Sequence, residues 1–198
     1  YLRKDQGNFE KLGIEIRKSR VNKVDAVGKR LVLNDGQLLP YDRLLLATGA
    51  YPVAPPIPGM DLPGIHPCWT LEDARHIARL AKPGARVLQM GAGFVGCIIM
   101  EALVKRGVHL TVVEMGNRMV PRMMTEAAGN MIRKWVEQKG VKVYTDTRVE
   151  VIEPADEPGV LRVRLGNGET LEADLVTSAT GVRSNIGFLD GSGITTDV

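Results

Sequence analysis

The chain has 198 residues, of which 44% are hydrophobic and 25% charged, a composition typical of a globular protein with a substantial core. Its net charge of +3 gives no indication of nucleic-acid binding, and no apolar run approaches the roughly 20 residues of a membrane-spanning helix. The two cysteines, Cys68 and Cys97, stand far apart and favour neither a disulfide framework nor a zinc site, so we expect a reducing, cytoplasmic compartment.

Two strands joined by a glycine-containing turn form the first predicted elements. They lie in LVLNDGQLLPYDRLLLATGA, residues 31–50, where a third, mostly apolar strand ends at Ala47, Thr48 and Gly49. Glycine at such a strand end lets a ligand approach the backbone closely, as happens at the carboxyl edge of an open α/β sheet.

Residues 51–68 contain six prolines, which exclude a helix or a central strand and predict a stiff connector between domains. A helix follows in TLEDARHIARL, where Thr70 and Asp73 have the spacing of a capping box.

The stretch VLQMGAGFVG, residues 87–96, is an apolar strand that ends in three glycines with the spacing G-x-G-x-x-G. Gly91 permits the tight turn, Gly93 allows a pyrophosphate to approach the backbone, and Gly96 allows the next helix to pack on the strand. The helix amino terminus supplies N–H groups and a partial positive charge for the phosphates. With a strand before it and a helix after it, the motif predicts a dinucleotide-binding turn.

An acidic residue favours one nicotinamide cofactor over the other. Glu114 ends the second predicted strand, 23 residues after Gly91, where a carboxylate accepts hydrogen bonds from an adenosine ribose. Because this carboxylate also repels the 2′-phosphate of NADP, we expect a preference for NAD. Arg118 and Arg122 follow, either as residues flanking the adenine or ribose or as solvated surface charge.

The last predicted helix lies in TEAAGNMIRKWVEQKG. Its periodicity predicts an inward face for core packing, formed by Met131, Ile132, Trp135 and Val136.

An internal repeat gives the domain organisation. The segment VRLGNGETLEADLVTSATGV, residues 163–182, matches residues 31–50 without gaps at a constant offset of 132. It closes, like the first copy, on an Ala-Thr-Gly triplet, here Ala179, Thr180 and Gly181. Gly181 lies 90 residues after Gly91, so a glycine motif belonging to the first copy would precede residue 1. We therefore expect one complete dinucleotide-binding unit preceded by the tail of another, in a fragment of a longer protein.

Three motifs together resemble the FAD-dependent pyridine nucleotide-disulfide oxidoreductase superfamily, in which an NAD domain is inserted into an FAD domain. PYDRLLLATGAYPVAPPIPG is similar to its junction between the domains, VLQMGAGFVG to its NAD fingerprint, and LEADLVTSATGVRSN to the closing motif of its NAD domain. The nearest branch contains ferredoxin and rubredoxin reductases and the large subunit of NADH-dependent nitrite reductase.

The resemblance implies roles for the residues that match family motifs. For NAD these are Gly91, Gly93, Phe94, Val95, Gly96 and Glu114, with Ala179, Thr180 and Gly181 near the nicotinamide side. For FAD in the full-length protein they are Val21, Ala47, Thr48 and Gly49. The family usually has glutamate two residues after the third glycine, where this chain has Ile98.

The expected fold is α/β: a Rossmann-like FAD/NAD(P)-binding domain with a central parallel sheet and a β-hairpin layer, flanked by a partial FAD domain. The expected organisation divides the chain into four segments. These are 1–50, the C-terminal part of a split FAD-binding domain; 51–68, a proline-rich linker; 69–181, the NAD(H)-binding domain; and 182–198, a return segment to the FAD domain.

The implied function is hydride transfer from NADH to flavin, followed by electron delivery to an acceptor protein or domain of the ferredoxin, rubredoxin or nitrite reductase type. The chain has no G-x-S-x-G, P-loop or H-E-x-x-H motif, so we assign the chemistry to the cofactors, NAD(H) and FAD. Two alternatives stay open: a thiol-based NADH oxidase, peroxidase or disulfide reductase of the same superfamily, and a non-catalytic NAD-sensing module.

Overall fold

The computed structural model describes residues 7–197 of the chain. By its internal contacts the chain divides into two compact units. The first combines residues up to Gly49 with residues from Ser184 onwards, and the second runs from Ala50 to Arg183. The outer ends of the two predicted FAD-domain segments, residues 1–6 and 198, lie outside the described residues.

The first unit contains a small antiparallel sheet. Its elements are α1 (Asn8–Lys11), β1 (Val21–Asp25), β2 (Arg30–Leu33), β3 (Leu38–Pro40) and a 3-10 helix (Gly187–Leu189). The strands pair in the order β1-β2-β3. The buried apolar residues of this unit are Val24 and Leu33 in the sheet and Leu189 in the 3-10 helix.

The prediction of a third strand in the first repeat copy, ending at Gly49, is wrong. Residues 43–49 form no strand, and Leu45 is 89% exposed. The second copy does form this strand, with a neighbouring strand on each side. An apolar strand needs such neighbours to bury its side chains and pair its backbone, and among the described residues none lies beside 43–49.

The second unit is built on a five-stranded parallel sheet. Its strands are β4 (Ala50–Pro52), β5 (Ile65–Pro67), β6 (Arg86–Met90), β7 (His109–Val113), β8 (Lys142–Tyr144), β9 (Val149–Pro154), β10 (Leu161–Leu165), β11 (Thr170–Ala173), β12 (Leu175–Ser178) and β13 (Val182–Ser184), the last residue of which is counted with the first unit. Its helices are α2 (Leu71–Leu80), α3 (Phe94–Lys105) and α4 (Glu126–Glu137). The central sheet has the order β5-β12-β6-β7-β8, a second sheet the order β11-β10-β9, and β4 pairs with β13. The predicted parallel sheet with a hairpin layer is confirmed.

Apolar residues on both faces of the parallel sheet form two cores. Successive side chains of a strand point to opposite faces, so Val87 joins a core with the three helices while Leu88 joins a core with the hairpin layer. Leu103 of α3 is buried in the first core, and Val163 of β10 in the second. The helices therefore cover one face of the sheet and the hairpin layer covers the other.

The proline-rich segment, expected as a connector, packs within the second unit. Its β5 joins the edge of the parallel sheet, and Ile57, Met60 and Leu62 pack against the core of the hairpin layer. Pro58 O also accepts a hydrogen bond from Ile152 N–H at 2.9 Å. Proline is compatible with an edge strand because one side of that strand needs no ladder partner.

Helix α4 turns a different face inward from the one predicted. Val136 is buried and Ile132 packs at the edge of the helix-side core, whereas Met131 is 71% and Trp135 57% exposed. Adjacent positions such as 131 and 132 lie about 100° apart around a helix, so the four residues cannot share one narrow face. The inward face also includes Gly129, where a Cβ would stand 2.6 Å from Met119 O.

The two hairpins of the repeat have the same turn. In each hairpin, the leucine that ends the first strand donates its N–H to the carbonyl of the residue four positions later. The carbonyl of the same leucine accepts a hydrogen bond from the N–H of the turn glycine. The residues are Leu33, Gly36 and Gln37 in one copy and Leu165, Gly168 and Glu169 in the other. Both glycines have positive φ, 82° and 88°, which explains why the repeat keeps glycine there.

Candidate dinucleotide site

The predicted NAD residues gather at the carboxyl edge of the parallel sheet. Strand β6 lies between β12 and β7, and all three run in the same direction. The glycine motif follows β6, Glu114 follows β7, and residues 179–181 follow β12. The ends of neighbouring parallel strands form the usual ligand crevice of an open α/β sheet.

The first and third glycines are required by the fold itself. Gly91 has φ 93°, and a Cβ there would stand 2.6 Å from Ala179 O. A Cβ on Gly96 would stand 2.6 Å from Gly91 O. Real side chains do not fit at such distances, so these two glycines permit the turn and the close packing of α3.

Gly93 has no such structural requirement. Its φ of −71° is open to any residue, and an added Cβ would meet no atom within 4 Å. The space in front of Gly93 lies at the amino terminus of α3, since Gly93 is the N-cap of that helix. The packing of the protein does not require glycine at this position, but close approach of a ligand to the backbone does.

The amino terminus of α3 has no side-chain cap. Helix α2 carries the predicted capping box of Thr70 and Asp73, and α4 is capped by Thr125. Gly93 offers no side chain to the first N–H groups of α3. These groups and the helix dipole suit an anionic ligand such as a pyrophosphate.

Glu114 connects the second strand to the glycine turn. Ala92 N–H donates to its Oε2 at 2.7 Å, and Gly116 N–H donates to its Oε1 at 2.7 Å. The carboxylate is half-buried. Because an ionised carboxylate has about four acceptor positions, Glu114 keeps the capacity to accept further hydrogen bonds from ligand hydroxyls.

The two candidate arginines lie in one loop but differ in their contacts. The Arg118 guanidinium donates to Met124 O and Pro121 O, both at 3.0 Å, and so closes the loop on itself. Arg122 is exposed in the same loop. Arg118 therefore acts first as a loop anchor, and its predicted place beside the adenine or ribose stays a prediction.

The closing triplet lines the other side of the turn. Ala179 N–H donates to Met90 O at 2.8 Å, while Ala179 O lies directly against Gly91. Thr180 Oγ1 donates to Val53 O at 3.1 Å, and Val53 N–H donates to Gly181 O at 3.0 Å. These bonds hold the end of β12 beside the glycine motif.

The first turns of α3 carry exposed apolar side chains. Phe94, Val95 and Ile98 are 60%, 44% and 58% exposed, whereas Ile99 and Leu103 of the same helix are buried. An exposed apolar surface beside a polar ligand turn is suited to contact with a planar ring. The sequence motif predicted Phe94 and Val95 as ligand contacts but gave no reason to expect this surface.

One buried polar residue was missed by the sequence analysis. Gln89 of β6 is fully buried, and its Nε2 donates to Gly91 O at 2.9 Å. The available signal was a lone amide in the otherwise apolar strand RVLQM.

Comparison with known proteins places these features in a family. The family model described as "Pyridine nucleotide-disulphide oxidoreductase" matches residues 5–198. The chain belongs to the pyridine nucleotide-disulphide oxidoreductase family. The predicted family is therefore confirmed.

Individual relatives agree with this assignment. The chain is 40% identical over 162 residues to the NADH-dependent phenylglyoxylate dehydrogenase subunit epsilon of Aromatoleum evansii, covering 82% of this chain and 38% of that protein. It is 32% identical over 162 residues to the ferredoxin–NAD(+) reductase component of the biphenyl dioxygenase system of Paraburkholderia xenovorans, covering 82% of this chain and 39% of that protein. Among solved structures, the putidaredoxin reductase–putidaredoxin complex matches with a TM-score of 0.89 and 26% identity, covering all of this chain and 48% of that one. The chain thus spans less than half the length of these relatives.

The family residues predicted to contact FAD lie in the first unit. Val21 begins β1, and Ala47, Thr48 and Gly49 are exposed. Thr48 Oγ1 donates to Asn185 O, and Asn185 N–H donates to Gly49 O, both at 2.9 Å. This is the same bonding pattern that Thr180, Gly181 and Val53 form in the second unit.

The surroundings of the chain's two cysteines raise the pKa of each thiol. Cys97 is half-buried in α3, where burial and the nearby Glu114 carboxylate raise the pKa of its thiol. Burial and Asp73 likewise raise the pKa of the Cys68 thiol. Nucleophilic cysteines need a lowered pKa, so a thiol-based reaction gains no support from these two residues.

Within residues 7–197 no helix has the length and apolar character needed to cross a membrane, and no cluster of three or more metal-ligating side chains is present.

Proposed function

We propose that this chain is the NAD(H)-binding part of an FAD-dependent oxidoreductase that transfers hydride from NADH to flavin and electrons on to a redox protein or downstream acceptor. The second unit binds NAD(H). In the complete protein, the first unit contributes Val21, Ala47, Thr48 and Gly49 to the FAD site, with residues 1–50 and 182–198 as parts of one FAD domain.

The observation that carries the proposal is Gly93. Its backbone conformation and its surroundings accept a side chain, yet the sequence has glycine in front of an uncapped helix terminus. A pyrophosphate that contacts the backbone accounts for both features. When bound, NADH supplies the hydride and FAD receives it; the protein's part is to hold and align the two groups.

The residues around this terminus fit NADH better than NADPH. Glu114 stands at the end of β7 as a hydrogen-bond acceptor, and its charge opposes a phosphate on the ribose. The Arg118 side chain, a cation that would otherwise attract a phosphate, is bonded to backbone carbonyls of its own loop. We therefore expect NADH to bind more tightly than NADPH.

The acceptor is proposed from the relatives. One relative carries ferredoxin–NAD(+) reductase in its name, and a solved structure shows putidaredoxin reductase joined to putidaredoxin. A small redox protein is the acceptor class that these names favour. The oxidase alternative stays beside this proposal, since another relative, 32% identical over 177 residues, is named NADH oxidase. The raised thiol pKa values oppose only a reaction at Cys68 or Cys97, and nothing at Ile98 favours a purely sensing role.

A substitution at Gly93 tests the proposal. Because the space at Gly93 is open, Gly93→Val is expected to fold, with the small loss of stability that valine costs at an N-cap, while its side chain obstructs the pyrophosphate. NADH fluorescence titration of the chain should show saturable binding for the wild type and at least about tenfold weaker binding for the variant.

Gly187→Val is the matched control, since Gly187 also has open space and a φ outside the positive range but lies in the first unit. It should bind NADH like the wild type. Equal binding by Gly93→Val and the wild type, or no binding by a folded wild type, would contradict the proposal.

A further inference from the structure

We propose that Gln89 is a positioning residue that holds the glycine turn in its ligand-binding conformation before NADH arrives. This inference rests on the proposed NAD(H)-binding function, and it adds a residue that lies outside the G-x-G-x-x-G motif.

The Gln89 amide is part of the packing of the turn. Its Nε2 donates to the carbonyl of Gly91 at 2.9 Å. On the other side, a Cβ on Gly96 would stand 2.9 Å from the same Nε2 and 2.6 Å from the same carbonyl. The amide therefore fills the space that the third glycine leaves, and it bonds to the carbonyl of the first.

Stability of the fold does not explain an amide at this position. Gln89 is fully buried, and its Oε1 has no hydrogen-bond partner among the described residues. Thr177, its partner in register on β12, is also fully buried, and its Oγ1 likewise lacks a partner within residues 7–197. Buried polar atoms without partners lower stability, so the contact that accounts for an amide in this strand is its bond to the Gly91 carbonyl.

The Gln89 amide fixes the orientation of the Gly91 carbonyl. The Gly91 carbonyl lies between β6 and α3, so its orientation governs the peptide planes that lead into the first turn of the helix. Fixing it in the ligand-free protein lowers the ordering that NADH binding must otherwise supply, and such preorganisation raises affinity. Gln89 touches neither cofactor nor substrate and acts through Gly91.

The test compares Gln89→Met with Thr177→Val. Both substitutions keep side-chain volume and remove one unpartnered buried oxygen, but Gln89→Met also removes the donor to Gly91 O. Thr177→Val should therefore melt at or above the wild-type temperature, and Gln89→Met should stay folded and melt near it. Only Gln89→Met loses the bond to Gly91 O. It should weaken NADH binding by about threefold to tenfold, the range that one hydrogen bond contributes. It should also accelerate hydrogen–deuterium exchange at residues 92–96.

Thr177→Val should match the wild type in both NADH affinity and exchange at residues 92–96. The inference is overturned if Gln89→Met leaves either of them unchanged, or if both variants change them equally through a general loosening of the sheet. If the wild type binds no NADH, the proposed function fails and the inference fails with it. If the wild type binds NADH and Gln89→Met binds it equally well, only the inference fails.

Discussion

Glu114 shows how one side chain serves both the fold and the proposed ligand. Its two oxygens accept the N–H groups of Ala92 and Gly116 at 2.7 Å, which ties the end of β7 to the glycine turn after β6. Spacing alone predicted the residue, because the distance from the first glycine to the end of the second strand is nearly constant in this type of fold. The two hydrogen bonds from backbone N–H groups depend on the loop conformation, so the sequence pattern did not predict them.

Neutralising Glu114 should change the preference between cofactors. In Glu114→Gln, one oxygen becomes an amide NH₂ that cannot accept from a backbone N–H or a ribose hydroxyl, and the charge that repels a 2′-phosphate is gone. We expect NADH to bind about threefold to tenfold more weakly, with the difference between NADH and NADPH reduced. Parallel fluorescence titrations measure both affinities.

Glu150→Gln, in the hairpin layer, serves as the control and should leave both affinities unchanged. An undiminished preference for NADH in Glu114→Gln would show that Glu114 does not set cofactor choice.

The glycine motif predicted the three glycines of the turn but not the neighbouring residue that packs against them. The pattern predicted all three glycine positions, and the contacts of Gly91 and Gly96 agree with the turn and packing roles expected for them. Gln89 lies two residues before Gly91 and contacts both glycines, yet the motif does not include it. Its amide became interpretable only when its burial and its partner were known.

At the level of elements, an ion pair joins β6 to the connection between β11 and β12. Arg86 donates through its backbone N–H and Nη2 to the Asp174 carboxylate, each at 2.7 Å, and through Nη1 to Glu172 at 2.7 Å. These contacts hold the pKa of Asp174 below its ordinary value of 3.8. The pair fixes the amino-terminal edge of the sheet, opposite the proposed ligand edge.

This ion pair should make the free energy of unfolding depend on pH in the acidic range. Because the folded-state pKa of Asp174 is lowered, its contribution is complete above its unfolded pKa, near 3.8, and is lost as the pH falls below that value towards the folded pKa. Thermal unfolding from pH 7 to pH 3 should show that Asp174→Asn is less stable than the wild type at pH 7. The difference should shrink below about pH 4.

Asp156→Asn removes a carboxylate that is 97% exposed and should follow the wild-type curve throughout. If Asp174→Asn kept a constant difference from the wild type down to pH 3, the ion pair would not be the source of the acid dependence.

Helix α4 and residues 43–49 show why elements were harder to predict than motifs. The sequence correctly indicated a helix around Met131 and Trp135, but its inward face depends on contacts such as that of Gly129 with Met119 O, which are distant in sequence from the helix pattern. The apolar run ending at Ala47 has strand composition but no strand beside it within residues 7–197. Local pattern predicts a helix or a strand, whereas the surroundings decide which face of a helix is buried and whether an apolar run pairs as a strand.

At the scale of the whole molecule, the internal repeat was the most informative signal. The offset of 132 predicted two hairpins of one design, and both turns have identical hydrogen bonds. The proline-rich segment was assigned to a connector because prolines exclude a central strand, whereas its Ile57, Met60 and Leu62 give it a place in the second unit's core. The predicted domain boundaries of the complete protein stay a prediction, since the chain spans less than half of its relatives.

The most direct test of the central claim is to observe where NADH binds. In a titration of the ¹⁵N-labelled chain followed by two-dimensional ¹H–¹⁵N NMR, we predict saturable shifts at residues 91–98, 114–116 and 179–181. The amides of the β2–β3 hairpin in the first unit should not shift. Saturable shifts confined to that hairpin or to the β9–β10–β11 layer, or no shifts at all from a folded chain, would contradict the account.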